Sequence, residues 1–309
     1  MPDPRNIIIG VDLGGTHFQV GAVTGSGQII ARSRGETPEG GQFEIVSDTL
    51  ARAIRAVCAD ADLTLADILG VGIGAPGAAV PTTGVILQAG NLPWSHVPLG
   101  ANLSARLDDT RVIVDNDVNA ATVGEHRLGA GKGATDMLGI WLGTGIGGGL
   151  ILNNALHRGT YFSAGEIGQT VPDPDVARPN RILERQTSRA AIARRLAEAK
   201  GVHEDDMTSA RIAELHGAGD PDAVRIIADA TGLIGVSVAN AITLLSLGRI
   251  VVGGGIVERM GEAIVGPIAE AARLDVFPDE CRQTQFVATR LGDNAGLLGA
   301  SLIARDALS

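Results

Sequence analysis

Short apolar runs separated by glycine-rich turns dominate the pattern of hydrophobic and polar positions in this chain. Two pairs of such runs stand about 130 positions apart: residues 7–11 and 18–23 flank the turn 12–16 (DLGGT), and residues 137–141 and 150–152 flank the turn 142–149 (LGTGIGGG). Short apolar runs bounded by glycine are typical of buried strands joined by a tight turn. The sequence therefore predicts two β-hairpins, each opening one half of the chain.

Glycines in these turns have a chemical use as well as a structural one. They allow a positive φ angle, and they let another group approach the bare backbone N–H donors. Successive N–H groups in such a turn form a concave nest that attracts phosphate oxygens. One glycine-rich hairpin is commonly no more than a turn. Two in one chain predict a duplicated fold that holds a polyphosphate between its halves.

Between and after the hairpins, the apolar spacing predicts alternating helices and strands. The predicted helices cover residues 43–59, 99–106, 118–128, 185–200 and 221–247, with a final helix after residues 293–296. The predicted strands cover residues 68–74, 112–114 and 249–252. This alternation is typical of two α/β domains, each with a mixed sheet flanked by helices. Residues 171–181 contain three prolines and are expected to form an irregular excursion.

The composition is that of an ordinary globular protein and narrows the possible partners. The chain has 309 residues, enough for about two domains, and 45% of them are hydrophobic. The formal net charge is −10, and aromatic residues make up only 3%. Nucleic-acid binding depends on neutralising phosphates and, for single strands, on aromatic stacking, so we expect no nucleic-acid partner. An anionic nucleotide can still bind through local N–H nests and a divalent cation.

Cysteine usage and hydropathy indicate a cytoplasmic protein. The two cysteines, Cys58 and Cys281, are far apart, which excludes a disulfide framework and a cysteine-rich zinc site and fits a reducing compartment. Residues 1–6 are too short and polar for a signal peptide. Residues 230–248 carry no charge but contain five Ser, Thr or Asn side chains, so we expect a buried core helix rather than a membrane span.

Six motifs together closely resemble the ROK family (repressors, open reading frames and sugar kinases). They stand in the family's order along nearly the whole chain: residues 12–16 (DLGGT), 91–94 (NLPW), 116–120 (NDVNA), 143–149 (GTGIGGG), 165–168 (GEIG) and 291–296 (LGDNAG). The resemblance implies the two-domain α/β fold of actin, hexokinase and the heat-shock ATPases, a duplicated ribonuclease H-like fold with an interdomain cleft. We expect residues 1–118 plus 293–309 to form one domain and residues 119–292 the other.

The resemblance also implies a homodimeric, glucokinase-like enzyme that uses ATP and Mg²⁺ to phosphorylate a hexose, most simply glucose. Asp117 is then the catalytic residue, because the family's general base falls on this position. Phosphoryl transfer to an alcohol needs a base that accepts the hydroxyl proton, typically worth about 10²–10⁴-fold in rate. The alternative is that Asp117 only caps the helix predicted after it, a role for which Asn116 is equally suited.

The expected phosphate and metal ligands lie in the glycine-rich turns. Asp12 follows a buried strand and is expected to hold Mg²⁺ through water, because Mg²⁺ keeps several waters; its alternative role is that of a turn residue. The residues expected to cradle the β- and γ-phosphates are Gly14, Gly15, Thr16, Thr144 and Gly145. Gly253, Gly254 and Gly255 resemble the family's adenosine-side turn, although a strand-ending glycine run also serves close packing.

Amides and carboxylates at six positions are the expected sugar ligands, since sugar hydroxyls both donate and accept hydrogen bonds. By resemblance they are Asn91, Asn116, Asp117, Glu166, Gln169 and Glu184. Glu184 on its own would be interpreted as a surface residue, and it is included because the family places a sugar-binding Glu there.

The chain departs from the family around residue 169. Many ROK proteins have Glu-x-Gly-His followed by a cysteine cluster that holds a structural zinc, whereas residues 166–169 read EIGQ and no cysteine follows before Cys281. Gln169 is a poor zinc ligand, so we expect no structural zinc and a 170–184 segment held by other means.

Two alternative functions belong to the same family. One is a glucokinase that uses polyphosphate as donor, disfavoured here by the lack of a basic groove for a long polyanion. The other is a non-catalytic, sugar-sensing regulator, disfavoured because such regulators carry an N-terminal helix-turn-helix extension and the first predicted strand starts at residue 7.

Overall fold

The computed structural model of the chain describes residues 6–309. These residues form two compact units. The first runs up to Gly129 and also contains Arg158–Ser163 and Asp293–Ser309. The second contains Ala130–His157 and Ala164–Gly292. Each unit has its own hydrophobic core around its own sheet.

The first unit is built on eight strands. They are β1 (Ile8–Leu13), β2 (His17–Val23), β3 (Ile29–Glu36), β4 (Gly70–Ala75), β5 (Ala78–Val80), β6 (Val85–Gln88), β7 (Ser95–Val97) and β8 (Val112–Asn116). A mixed sheet has the order β3-β2-β1-β4-β8, with β1 antiparallel to β2 and parallel to β4, and a small second sheet has the order β5-β6-β7. The central strands β1 and β4 are buried almost throughout, whereas the edge strand β3 alternates between half-buried and exposed residues.

The second unit repeats this sheet. Its strands are β9 (Met137–Leu142), β10 (Ile146–Leu152), β11 (Ala155–His157), β12 (Arg249–Gly253) and β13 (Gln285–Ala288). Their order is β11-β10-β9-β12-β13, again with an antiparallel hairpin on one side of the first strand and a parallel strand on the other. Both predicted hairpins are present, and the predicted duplication of an α/β fold is confirmed.

Ten α-helices accompany these strands within residues 6–309. They are α1 (Phe43–Asp60), α2 (Leu99–Arg106), α3 (Asp117–Leu128), α4 (Leu183–Thr187), α5 (Arg189–Lys200), α6 (Ser209–Gly217), α7 (Pro221–Leu245), α8 (Gly255–Met260), α9 (Glu262–Asp275) and α10 (Ala295–Leu308). The prediction of one helix over residues 185–200 is wrong. Ser188 has extended backbone angles and accepts a hydrogen bond from the Ala191 N–H at 3.2 Å, so it ends α4 and caps α5.

Helix α10 closes the first unit by packing on α3 and on the sheet. A Cβ on Gly299 of α10 would lie 1.6 Å from the carbonyl oxygen of Ala120, and a Cβ on Gly72 of β4 would lie 2.0 Å from that of Ala300. Any side chain at these glycines would force the backbones apart. The domain boundary predicted between residues 118 and 119 would assign most of α3 to the second domain. The contacts of α3 with α10 instead place both helices in the first unit.

Helix α7 is the only helix in the described part of the chain that is long and apolar enough to span a membrane by length and composition. Its apolar side chains, among them Ile226, Ile234 and Val238, belong to the core of the second unit. This arrangement agrees with the expected buried core helix.

Candidate active site

The first glycine-rich turn joins β1 to β2 and lies against the loop that carries Asn91. Thr37 holds the turn with two hydrogen bonds, from its N–H to the Thr16 carbonyl and from its Oγ to the Gly14 carbonyl, both at 2.8 Å. A Cβ on Gly15 would lie 2.9 Å from the Cβ of Asn91. Neither turn glycine has the expected positive φ angle. At Gly15 the glycine therefore serves close approach, and the turn brings Asn91 beside the predicted phosphate residues.

Asp12 has a closely packed carboxylate near the end of β1. It is paired in register with Gln19 of β2, whose Nε2 donates to Asp12 Oδ2 at 3.2 Å. Gly296 of α10 also packs against the carboxylate, since a Cβ there would lie 2.5 Å from Asp12 Oδ2. Burial raises the pKa of Asp12, the hydrogen bond from Gln19 lowers it, and the nearby Asp293 raises it. A buried carboxylate with a second carboxylate nearby favours a bound cation.

A cavity of about 570 Å³ in the first unit is lined by Asp12 and by two further carboxylates, Glu36 and Asp293. Arg34 also lines it and forms an exposed ion pair with Asp293 at 3.2 Å. Within the described residues there is no cluster of three or more His, Cys, Asp or Glu side chains arranged to hold a metal directly. Mg²⁺ binds through one or two carboxylates and keeps several waters, so this cavity fits a hydrated Mg²⁺ ion.

Asn116 and Asp117 lie at the junction of β8 and α3. Asn116 is the N-cap of α3, because its Oδ1 accepts from the Asn119 N–H at 2.9 Å. Its amide nitrogen donates to the carbonyl of Gly77 at 3.1 Å and to Asp117 Oδ1 at 2.9 Å. Asp117 Oδ1 also accepts from the Val118 N–H at 2.9 Å. The capping role thus belongs to Asn116, and the partly exposed Asp117 carboxylate is oriented through Oδ1.

Immediately before this junction, Asp115 forms a buried ion pair with Arg158. Arg158 donates from Nε at 2.8 Å and from a terminal guanidinium nitrogen at 2.5 Å, both to Asp115 Oδ2. Oδ1 of Asp115 accepts from the Asn116 N–H at 2.8 Å and from Asn119 Nδ2 at 3.0 Å. The Asp115 side chain is 2% exposed and that of Arg158 is 29% exposed. This ion pair therefore fixes the end of β8 two residues before Asp117.

The loop that carries Asn91 is anchored by Trp94. The indole Nε1 donates to the carbonyl of Gly41 at 2.7 Å, and the Trp94 ring meets Phe43 edge-on with centroids 5.4 Å apart. The Trp94 carbonyl accepts from the Ala89 N–H at 3.1 Å. A buried aromatic anchor thus places the exposed Asn91.

The second glycine-rich turn lies between β9 and β10 and is in contact with Glu184. Glu184 Oε2 accepts from the Ile146 N–H at 2.8 Å, and a Cβ on Gly145 would lie 2.3 Å from the same oxygen. Gly143 donates to the Gly145 carbonyl at 2.9 Å, and Thr144 at the tip is exposed. The structure therefore brings a predicted sugar ligand, Glu184, against the predicted phosphate residue Gly145.

Glu166 and Glu184 form a carboxylate pair in the second unit. Burial raises the pKa of Glu166, and the charge of Glu184 raises it further. Gln169 ends the short turn Ile167–Gln169 and is exposed. A Cβ on Gly168 would lie 2.1 Å from the carbonyl of Ile146, so this turn packs directly on β10. Paired carboxylates of this kind suit the donor groups of a polyol.

The three glycines after β12 differ in their surroundings. A Cβ on Gly253 would lie 2.4 Å from Thr289 Cγ2, and a Cβ on Gly254 would lie 2.3 Å from the carbonyl of Leu142. Gly254 also has a φ angle of 101°. Close packing accounts for these two glycines, whereas Gly255 is exposed.

Residues 171–181 form the irregular excursion that the sequence predicts, and the residues that flank it are joined by hydrogen bonds. The Leu183 N–H donates to the Thr170 carbonyl at 2.9 Å, and the Leu183 side chain is fully buried. Gln186 Nε2 donates to the Arg181 carbonyl at 3.0 Å. Backbone closure and one buried leucine therefore hold the segment.

Three residues at these sites are absent from the sequence-based list of site residues: Gln19, Arg158 and Asp293. Asp293 stands inside the motif of residues 291–296, which gives a signal for the segment but none for the role of its carboxylate. Gln19 could be found by counting across the hairpin, since residue 19 faces residue 12 when the turn covers residues 14–17. Nothing local links Arg158 to Asp115, because 43 positions separate them.

Comparisons with known proteins agree with this architecture. The chain is 30% identical over 315 residues to the glucokinase of Halalkalibacterium halodurans, covering 96% of this chain and 94% of that one. It is 31% identical over 320 residues to the glucokinase of Streptomyces coelicolor, covering 97% and 98%. A ROK family glucokinase from Streptomyces griseus, solved in complex with glucose and AMPPNP, superposes with a TM-score of 0.85 at 32% identity, covering 97% of this chain and 100% of that one.

The family model agrees with the motifs along nearly the whole length. It matches residues 8–307, from the start of β1 to the last turn of α10. The chain therefore belongs to the ROK family and has its two-domain, actin-like ATPase fold.

Proposed function

We propose that this sugar kinase transfers the γ-phosphoryl group of ATP to a hydroxyl of a hexose, glucose or a close relative, with Asp117 as the general base. The observation that carries the proposal is that Asn116 and Asp117 have different roles at the start of α3. Asn116 caps the helix, and Asp117 presents a partly exposed carboxylate that Asn116 orients. Asn116 fills the N-cap position of α3, which supports a role for Asp117 other than capping.

In this mechanism the sugar hydroxyl oxygen attacks the γ-phosphorus of ATP and its proton passes to the Asp117 carboxylate, while the bond between the γ-phosphorus and the β–γ bridging oxygen breaks and ADP leaves. The Asn116 amide and the Val118 N–H hold Asp117 Oδ1, so the carboxylate keeps one orientation throughout the step. Fixed orientation lowers the entropic part of the barrier. The ion pair of Asp115 with Arg158 holds the end of β8, which directly precedes Asp117.

Each unit carries proposed sugar ligands, Asn91, Asn116 and Asp117 in the first unit and Glu166, Gln169 and Glu184 in the second. Ionised carboxylates accept from sugar hydroxyls, while amides both donate and accept. A hexose that lacks one of the bound hydroxyls would leave a polar side chain unpaired, which gives strong discrimination against deoxy analogues.

The proposed phosphate contacts are Gly14, Gly15 and Thr16 in the turn of the first unit and Thr144 and Gly145 in the turn of the second, and the proposed adenosine contacts are residues 253–255. Asp12 would hold Mg²⁺ through water, and the bound ion would supply positive charge that stabilises the transferred phosphoryl group. Among residues 253–255, Gly255 is the better contact candidate, since packing already explains the two glycines before it. A homodimer and a cytoplasmic location remain predictions.

The decisive experiment measures ADP release with Mg-ATP across glucose, mannose, galactose and their amino and N-acetylated derivatives. ADP release with one hexose and its derivatives, and not with the other hexoses, identifies the class of substrate. Phosphoryl transfer only when polyphosphate replaces ATP would overturn the ATP donor. Sugar binding without any phosphoryl transfer would favour a sensor over an enzyme.

Asp117→Asn tests the general base. It should lower kcat at least about 100-fold while the Kd of the sugar stays within a few-fold of wild type. Asp109→Asn is the matched control, because Asp109 is an exposed aspartate in the same unit. Turnover of Asp117→Asn within a few-fold of wild type would refute the assignment.

A further inference from the structure

Gln19 makes two hydrogen bonds that no motif predicts. Its side-chain Nε2 donates to Asp12 Oδ2 at 3.2 Å and, in a second and shorter bond, to the backbone carbonyl of Asp293. The residue is only 8% exposed. Opposite residues of an antiparallel pair project from the same face of the sheet, so the register of β1 with β2 accounts for the contact with Asp12.

The orientation of the Gln19 amide follows from its two partners. The Asp12 carboxylate and the Asp293 carbonyl are both acceptors, so the NH₂ group must face them. The opposite assignment would place the amide oxygen against two other oxygens. In the assigned orientation Oε1 is buried and has no hydrogen-bond partner within residues 6–309.

An unpaired buried acceptor is unfavourable for folding and calls for an explanation. An apolar side chain of similar length would avoid it. What such a side chain could not do is hold Asp12 and the loop before α10 at the same time. The observed bonds therefore indicate that the amide serves the geometry of Asp12 rather than the stability of the core.

Gln19 and Gly296 together leave the Asp12 carboxylate little freedom. Gln19 occupies Oδ2, and the backbone of α10 at Gly296 leaves no room for a Cβ beside the carboxylate. Gln19 is also neutral, so it orients the carboxylate without cancelling its charge. A Lys or Arg at this position would form an ion pair with Asp12 and weaken any attraction for a cation.

We infer that Gln19 is a positioning residue that orients the Asp12 carboxylate toward a hydrated Mg²⁺ ion and ties it to the loop that carries Asp293. This inference rests on the proposed function, in which Asp12 holds the ion. Groups that hydrogen-bond to a metal-binding carboxylate typically contribute about 10–100-fold to metal affinity. Gln19 is expected to contribute on that scale.

The test compares Gln19→Met, which keeps the length of the side chain and removes the amide, with Gln28→Met. Gln28 lies in the same unit, away from Asp12, and undergoes the same chemical change. Mn²⁺ binding is measured by electron paramagnetic resonance on the full chain with ADP present. The Mg²⁺ activation constant and the Kd of the sugar are measured alongside.

Gln19→Met should raise the Kd for Mn²⁺ about 10–100-fold and raise the Mg²⁺ activation constant in parallel. The Kd of the sugar should stay within twofold of wild type, and Gln28→Met should match wild type in all three. A Mn²⁺ Kd within threefold of wild type in folded Gln19→Met would overturn the inference, as would an equal loss of sugar binding.

Two controls separate the possible failures. If Gln19→Met does not fold by circular dichroism, Gln19→Ala is measured in its place. Failure of both variants to fold would overturn the inference, because Gln19 would then be a structural residue. Absence of phosphoryl transfer by the wild-type chain refutes the proposed function instead, and the Mn²⁺ measurement is independent of that result.

Discussion

Loss of the Arg158 guanidinium should destabilise the first unit strongly, because it would leave a buried carboxylate without its counter-charge. Arg158→Met keeps most of the packing volume and removes both hydrogen bonds to Asp115 Oδ2. Breaking a buried ion pair by removing one partner typically costs about 3–5 kcal/mol. Asp115 retains two donors on its other oxygen, and the Arg158 side chain is 29% exposed, so the lower end, about 3 kcal/mol, applies.

The reverse change should cost less. Asp115→Asn removes the buried charge and leaves the guanidinium of Arg158 able to reach water, so we expect a loss of about 1–2 kcal/mol. In the double variant the cost of Arg158→Met should shrink, giving a coupling energy of about 1.5–3 kcal/mol. Arg127→Met is the control, since its ion pair with Asp306 is exposed on both sides and should contribute at most about 1 kcal/mol.

Urea unfolding and thermal unfolding, both followed by circular dichroism, are measured for these four variants, and kcat is recorded for each. For Arg158→Met, Tm should fall by about 6–12 °C, and kcat should fall with it because the end of β8 directly precedes Asp117, the proposed general base. If Arg158→Met costs the same free energy in the wild-type background as in the Asp115→Asn background, the two side chains are not coupled and the reasoning is refuted.

Three further predictions concern Glu166, the cysteines and zinc. Burial and the charge of Glu184 raise the pKa of Glu166. The folded protein therefore holds the proton of the Glu166 carboxyl more tightly than the unfolded chain does. The free energy of unfolding then decreases as pH rises from the ordinary glutamate range through the raised pKa. Glu166→Gln should therefore raise Tm by about 1–4 °C at pH 7 and abolish sugar binding, and a stability gain of the same size at pH 4 would contradict this. Burial raises the pKa of Cys58 to about 11, and the residue is 2% exposed, so a thiol reagent at pH 8 should label Cys281 and spare Cys58 until the protein unfolds. Metal analysis should find no stoichiometric zinc, and a zinc-selective chelator should leave Tm unchanged; one zinc per chain would show that the 170–184 segment is held differently.

Periodicity predicted the fold well where a segment's own residues decide its structure. Both hairpins, α1, α2 and α7 follow from apolar spacing within one element. The predicted helix over residues 185–200 failed because Ser188 can either continue a helix or cap the next one, and its capping bond to the Ala191 N–H decided between them. The boundary at residue 118 differs from the observed units for a long-range reason, the contact of α3 with α10.

Motifs identified residues of the candidate site but not the contacts between them. Asp12, Asn116 and Asp117 stand in recognisable motifs. The side chains that form hydrogen bonds with Asp12 and with the neighbouring Asp115 come from elsewhere in the chain. Arg158 reaches Asp115 across 43 positions, and Gln19 joins Asp12 to a carbonyl 274 positions away from itself. Such pairs depend on the folded backbone, so local pattern gives no signal for them.

The position of helix α10 in the chain determines which unit can fold first during synthesis. The ribosome releases β1 and β4 early, but the helix that covers their glycines, Gly10 and Gly72, is made only after the elements of the second unit. Until then the first unit lacks one face of its sheet, while nearly all of the second unit has already been made. We therefore expect the middle of the polypeptide to reach its native form before the beginning does, and a nascent chain stopped before residue 295 to remain dependent on chaperones.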